Sequence, residues 1–301
     1  MPTRVAHSSP VLRTAEPTAA LASPKVSVLV HDVLHQLSAE ELEIAARSSF
    51  AFTTLDPTPI QEQQECYSYA AAMAERYLDS NQGRVDKALQ QMKATLQFRR
   101  DHVLDTSLRT TPVQHDNTRL YTMLRTQKLY VAGRDRAGRS TYVFVPRRVQ
   151  DHDLESTRKA HLWTLEKAIA TTQSPDSTIN AMVDFTDFDC IRQAPPLANG
   201  RDILTLLRHH YVGHVHRIYL VNTPKSFHWF WSLLAPCVGT GTKNKIVFVT
   251  SNSRQQQKEQ PLLDLYEPDQ IPSWVEGGTW PAAFPIDAFL RLPFDQLLGD
   301  P

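Results

Sequence analysis

The spacing of hydrophobic positions changes once along the chain, and the change divides the sequence into two parts. Over its first third the spacing is helical. Ser38-Ala39-Glu40-Glu41 pairs a Ser N-cap with a Glu three residues on, a capping box that predicts a helix running to about Arg47. A second apolar-rich segment spans Tyr67 to Leu78. In RVDKALQQMKATLQFRR, Val85, Ala88, Leu89, Met92 and Leu96 recur at i, i+3, i+4, i+7 and i+11, one stripe of an amphipathic helix. Beyond Lys128 the spacing shortens. Leu129-Tyr130-Val131 and Tyr142-Val143-Phe144-Val145 read as strands, with the charged GRDRAGR as the turn between them.

Helices and strands then alternate. A helix over Leu154 to Thr172 precedes the strand INAMVDF, LANGRDILTLLRHH precedes RIYLVN, and SFHWFWSLLAP precedes NKIVFVTS. Strands separated by helices of ten or more residues build βαβ units and a mostly parallel sheet, so the fold class is α/β. The expected organisation is a disordered tail over 1–35, a helical unit over 36–110, a sheet domain over 111–290 and a C-terminal tail over 291–301.

Composition narrows the class. The chain has 301 residues, 41% hydrophobic and 21% charged, with 32 basic side chains against 32 acidic ones. Zero net charge favours neither nucleic acid nor an anionic membrane as a partner of the whole molecule. The three cysteines, Cys66, Cys190 and Cys237, are isolated and form no CxxC, which argues against a disulfide scaffold and fits a reducing compartment. No apolar run reaches the roughly 18–20 residues that span a bilayer. The first 25 residues carry Arg4, Arg13, Ser8 and Ser9 with one acid, Glu16, which has the flavour of a transit peptide. They lack amphipathic periodicity and contain three prolines, so a disordered tail is the plainer reading.

Candidate chemistry is sparse. His210 and His214 stand four apart, but Gly213 between them ends a helix, and neither they nor His209 and His216 have Cys, Asp or Glu at ligand spacing. No metal or cofactor is expected. VGTGTKNK lacks the register of a phosphate loop and lies between a helix and a strand instead of after a strand. Asp184, Asp187 and Asp189 follow a strand, the edge where α/β enzymes place acids, but no neighbouring residue partners them. The segment Ser226–Pro236 is more informative. Phe227, Phe230, Trp231 and Leu234 form one apolar stripe, and Trp229 and Leu233 form a second on another face. Either the helix is buried on both sides, or one side meets a ligand or a membrane.

The order of these segments resembles the CRAL-TRIO family of lipid-binding and lipid-transfer proteins, relatives of the fungal phosphatidylinositol/phosphatidylcholine transfer protein. The resemblance runs from about Tyr67 to Thr279. It rests on the GRDRAGR hairpin, HHY before RIYLVNTPKSF, the Trp/Phe helix, KIVFV and IPSWVEGGT. It implies a sheet flooring a hydrophobic pocket, flanked by helices and closed by a gate helix that touches the membrane. The pocket would be lined by Ile179, Ala181, Val183, Ile218 and Leu220, and the gate would carry Phe227, Phe230, Trp231 and Leu234. Function would be non-enzymatic binding and intermembrane transfer of a lipid by a cytoplasmic monomer, peripherally and transiently on membranes, with no nucleic-acid partner.

The sequence departs from relatives that hold phosphatidylinositol. Thr242 and Lys245 match a Thr-x-x-Lys that contacts the headgroup there, but the basic pair falls on Asn81 and Gln82 and a Glu falls on Gly213. The Ser-x-Thr of relatives that hold phosphatidylcholine falls on Ile179 and Ala181. Ile179, Ala181 and Val183 share one strand face by period two, so a sterol, prenyl lipid, pigment or fatty acyl ligand is as plausible as a phospholipid. The alternatives are a regulatory or protein-interaction module whose pocket is filled by its own side chains, and an enzyme built on the three aspartates.

Overall fold

A computed structural model describes residues 28–48, 63–105, 107–110, 118–149, 153–189, 197–225, 227–238, 240–249, 262–280 and 284–300. The first 27 residues of the expected N-terminal tail lie outside these. Among the described residues, four helices form the N-terminal unit: α1 (Val28–Leu34), α2 (Ala39–Arg47), α3 (Gln63–Ser80) and α4 (Val85–Asp101). The capping box is complete. Ser38 Oγ accepts from the Glu41 amide at 3.2 Å, and Glu41 accepts from the Ser38 amide at 2.8 Å. Ala88, Met92 and Leu96 of the α4 stripe are buried against Leu34, Ala45 and Ala74, with Val85 and Leu89 half-buried at the margin.

The expected tail boundary at residue 35 is corrected by α1. Val30, Val33 and Leu34 recur at i, i+3 and i+4, and all three are buried in the helical unit's core.

After the helices α5 (Ser107–Thr110) and α6 (Thr118–Arg125), the sheet begins. Its strands are β1 (Leu129–Arg134), β2 (Ser140–Phe144), β3 (Ile179–Asp184), β4 (Val215–Val221) and β5 (Ile246–Val249), adjacent in that same order. The β1–β2 hairpin is antiparallel and every later pair is parallel. Asp135 fixes the hairpin turn by accepting from the amides of Ala137 and Arg139, both at 2.9 Å, while Gly138 takes φ +81°. The crossovers run through α7 (Leu154–Thr171), then α8 (Leu197–His210), then α9 (Phe227–Leu234) with α10 (Thr240–Lys243). When each strand is added beside the last by crossovers of one hand, every connecting helix lies on the same face of the sheet.

The described segment from Leu262 onward covers the opposite face. The Tyr266 hydroxyl is 2.9 Å from Thr141 Oγ1 and accepts from Asn180 Nδ2 at 2.8 Å. The GGT turn closes this segment. Gly277 takes φ +84°, and a Cβ on Gly278 would stand 2.3 Å from the Pro272 carbonyl oxygen.

The expected C-terminal tail is a second correction. Phe294 and Leu297 are buried, Asp300 pairs with Arg134 at 2.6 Å, and Lys167 donates to the carbonyls of Pro293 and Phe294 at 3.0 and 3.2 Å. Phe289 and Phe294 meet the Trp163 ring edge-on. Three aromatic rings and two carbonyls around one ammonium anchor this end to α7.

One buried carboxylate ties the two parts together. Glu166 on α7 is fully buried and accepts from Arg99 of α4 at 3.0 Å, from Arg109 of α5 at 2.5 Å and from the Tyr211 hydroxyl at 2.7 Å. Arg99 also meets Asp105 at 2.5 Å, and Arg109 donates to the Arg47 carbonyl at the end of α2. Burial pushes the Glu166 pKa up, but the two guanidiniums outweigh it and hold the group below the ordinary carboxylate value. Glu166→Gln leaves two buried cations short of a counter-charge, so it should cost about 3–5 kcal/mol of stability in urea unfolding. A loss below about 1 kcal/mol would show the network to be dispensable.

Candidate functional site

Between the sheet and its helices lies a cavity of about 220 Å³. The parallel register builds its floor. Tyr142, Ala181, Ile218 and Ile246 face one another across β2 to β5, and Phe144, Val183 and Leu220 form the next row. Side chains paired in register point to one face, so both rows reach the cavity together. Ile179 extends the floor beside Val215. The walls come from Thr157, His161 and Leu165 on α7, from Ile203, Leu204 and Leu207 on α8, and from Phe227 and Trp231 on α9. Thr157, His161 and Leu165 stand four apart, so they share one face of α7.

The structure places Ile179, Ala181, Val183, Ile218 and Leu220 on the cavity wall. Phe227 and Trp231 also line it, stacked with ring centroids 6.1 Å apart. Phe227 meets Phe185 edge-on at 4.8 Å and Phe248 at 6.0 Å. The side chains of Phe230 and Leu234, and that of Trp229 in the second stripe, fall outside the described residues. Leu233 of that stripe is 38% exposed, and Phe248 nearby in β5 is 45% exposed. Thr242 lines the cavity. Lys245 does not; its ammonium donates to the Val215 carbonyl at 2.5 Å.

The positions where charge is missing have structural work. Asn81 donates to the Tyr77 carbonyl at 2.9 Å and to Gln91 at 2.8 Å, closing the turn between α3 and α4. Gln82 sits in that turn at φ 57°, and Gly213 takes φ +76° past the end of α8, against the Arg76 side chain.

The remaining candidates disperse. His210 stacks on Phe98 with centroids 4.0 Å apart, and buried His214 lies 3.2 Å from the Ser177 carbonyl. Among the described residues, no three His, Cys, Asp or Glu come together as a metal site. No described helix is long and apolar enough to cross a membrane. The reading of Asp184 as unpartnered is corrected: Arg147 donates to its buried carboxylate at 2.6 Å, a contact made 37 residues away in sequence.

Sequence reasoning also missed the polar residues packed beside the cavity. The Tyr142 hydroxyl lies 2.5 Å from His161 Nδ1, and Lys128 and Thr157 line the same pocket. Burial, then the nearby Lys128 charge, pull the His161 pKa down to about 3, and burial pushes the Tyr142 phenol up. The phenol therefore keeps its proton and the imidazole stays neutral, the two sharing one hydrogen bond. The four-residue spacing of Thr157, His161 and Leu165 was the available signal.

A family model described as CRAL/TRIO domain matches residues 124–277, about half the chain. A CRAL-TRIO domain-containing protein of Schizosaccharomyces pombe is 24% identical over 225 residues, covering 74% of this chain and 21% of that protein. The match thus spans about a fifth of the length of this curated relative. The crystal structure of Sfh5 superposes with a TM-score of 0.52 at 15% identity, covering 70% of this chain and 74% of that one, and so shares the fold.

Burial and neighbouring Arg76 also pull His214 down to about 3. Unfolding returns both histidines to about 6.5, where they take up protons that the folded state refuses. Stability should therefore fall as pH drops from about 6.5 to 5, a window above most carboxylate titration. His161→Phe should remove part of that slope in thermal melts. A melting temperature flat across the window would contradict the burial of two neutral imidazoles.

Proposed function

Because the chain belongs to the CRAL/TRIO domain family of lipid-binding proteins, we propose that it carries one hydrophobic ligand in the cavity over β2 to β5 and passes it between membranes without chemical change. The carrying observation is the apolar floor, formed by two in-register rows and faced by Phe227 and Trp231. An apolar cavity of about 150 Å³ stays dry and takes up benzene, so about 220 Å³ of such space is a binding site awaiting apolar matter. Each buried CH₂ contributes about 0.8 kcal/mol, so extraction from a bilayer requires that nearly all of the ligand be enclosed. Enclosure in turn requires a lid that opens.

Helix α9 is that lid in this reading. Phe227 is buried against Phe185 and Leu220, while Leu233 and Phe248 present apolar surface outward. Apolar and aromatic side chains at such an edge insert into the interfacial layer of a membrane. Contact with the bilayer would be transient, and the carrier would otherwise stay in the cytoplasm as a monomer. Thr242 lines the pocket and is placed to meet a headgroup; Lys245, turned to the Val215 carbonyl, would have to swing to do so. The interaction-module reading needs a pocket packed shut by its own side chains, and the open space above Ile179 and Ala181 weighs against it.

Trp231→Asp should reduce ligand transfer between vesicles at least tenfold while leaving the far-ultraviolet circular dichroism unchanged. Transfer at the unaltered rate would contradict the assignment of α9 as the lid. Ala181→Phe, which fills the floor, should lower ligand capacity without changing vesicle contact, measured by co-sedimentation.

A further inference from the structure

The net charge of zero hides a lopsided distribution. Residues 203–258 contain seven Lys and Arg and no Asp or Glu. At the chain's own average, a stretch of that length would hold about six acids. The run takes in most of α8, then β4, α9, α10 and β5, which are the proposed lid and the two strands under it. The rest of the chain is acidic by the same margin, so the molecule is polarised, with its positive end at the lid.

The described cations of this run cluster around the apolar edge. Lys225 stands two residues before α9 and Lys243 three residues before β5, and both are exposed. Among the described residues, neither has an ion-pair partner. Exposed Arg217 donates to the Asn244 carbonyl at 3.2 Å, which sets its guanidinium beside Lys243 and Lys245. Burial and then the Arg217 charge lower the Lys245 pKa, so these two cations feel each other. Between the two cationic ends lie the exposed side chains of Leu233 on α9 and Phe248 on β5. The Phe227 ring, 6.0 Å from that of Phe248, joins the two elements into one edge.

We propose that the α9–β5 edge docks on the surface of an anionic bilayer, so that the lid meets membranes rich in acidic lipid in preference to neutral ones. The proposal rests on the carrier reading and adds to it the chemistry of the membrane served. Leu233 and Phe248 call for an apolar layer, and Lys225, Lys243 and Arg217 call for negative charge at the rim of that layer. An acidic bilayer supplies both, because long basic side chains reach the headgroups while apolar ones enter beneath them. A nucleic acid supplies the charge but no layer for Leu233.

The test is co-sedimentation of the full chain with vesicles of phosphatidylcholine alone and with vesicles containing about one third phosphatidylserine. Each basic side chain near an acidic surface strengthens binding about fivefold. The natural chain should therefore bind the acidic vesicles at least tenfold more tightly, and salt at about 1 M, where screening acts within about 3 Å, should erase the difference. Lys225→Gln with Lys243→Gln should remove most of the preference. Lys87→Gln with Lys93→Gln on α4 makes the same change in net charge and should leave it intact. Equal binding to both vesicle types, or an equal loss in both double variants, would overturn the docking face and leave the carrier reading standing. Tighter binding of a single-stranded RNA homopolymer than of acidic vesicles, lost in the Lys225 and Lys243 double variant, would overturn the bilayer as the partner. Acid-selective docking by a chain that takes up no lipid would uphold the docking face and bring down the carrier reading alone.

Discussion

The Glu166 carboxylate is the interaction on which the arrangement depends. It is fully buried, and two arginines and a tyrosine from separate segments converge on it. A charge so placed is stable only while its partners stay in position, since loss of any one exposes the remainder to a large desolvation penalty. The network therefore fixes α7 relative to α4, α5 and the end of α8. Helix α7 is also gripped at the very next residue, from another side, by the aromatic rings and carbonyls of the C-terminal segment around Lys167. With α7 held from two sides at Glu166 and Lys167, the face carrying Thr157, His161 and Leu165 is set against the sheet.

That bracing is what allows an unfilled space to exist. Protein interiors close on voids unless rigid elements hold them apart. Here the helices on one face of the sheet are braced by ion pairs, Arg158 with Asp202 at 2.6 Å between α7 and α8 among them. The opposite face is sealed by the Tyr266 contacts to Thr141 and Asn180. The braced side holds the Tyr142–His161 pair, and α9 is a short helix that lines the pocket with two aromatic rings. A braced wall and a short apolar roof are what the proposed capture and release of a hydrophobic ligand would require.

Much of this was legible in the sequence, because it rests on local periodicity. The stripe on α4, the GRDRAGR hairpin and the alternation of helices with strands each follow from spacing within twenty residues. The shared face of Ile179, Ala181 and Val183 follows from the period of a strand. What stayed hidden depends on pairs distant in the chain. Arg99 and Glu166 are 67 residues apart, Arg147 and Asp184 are 37 apart, and nothing in either local pattern announces its partner. His161 lay in a helix buried on nearly every side, where its four-residue spacing from Thr157 and Leu165 does not set one face apart from the others. Val28–Leu34 and Phe294–Leu297 read as tails because each is short and flanked by polar or Pro-rich sequence, yet each docks a few apolar side chains on a core formed elsewhere.

The central claim is that the cavity holds a hydrophobic ligand. Native mass spectrometry of the full chain, purified gently from a eukaryotic host and followed by solvent extraction, tests it most directly. The account predicts an adduct near one per chain that extraction identifies as a lipid, and that is lost in Ala181→Phe. A well-folded chain that carries no lipid and takes none up from vesicles would contradict it.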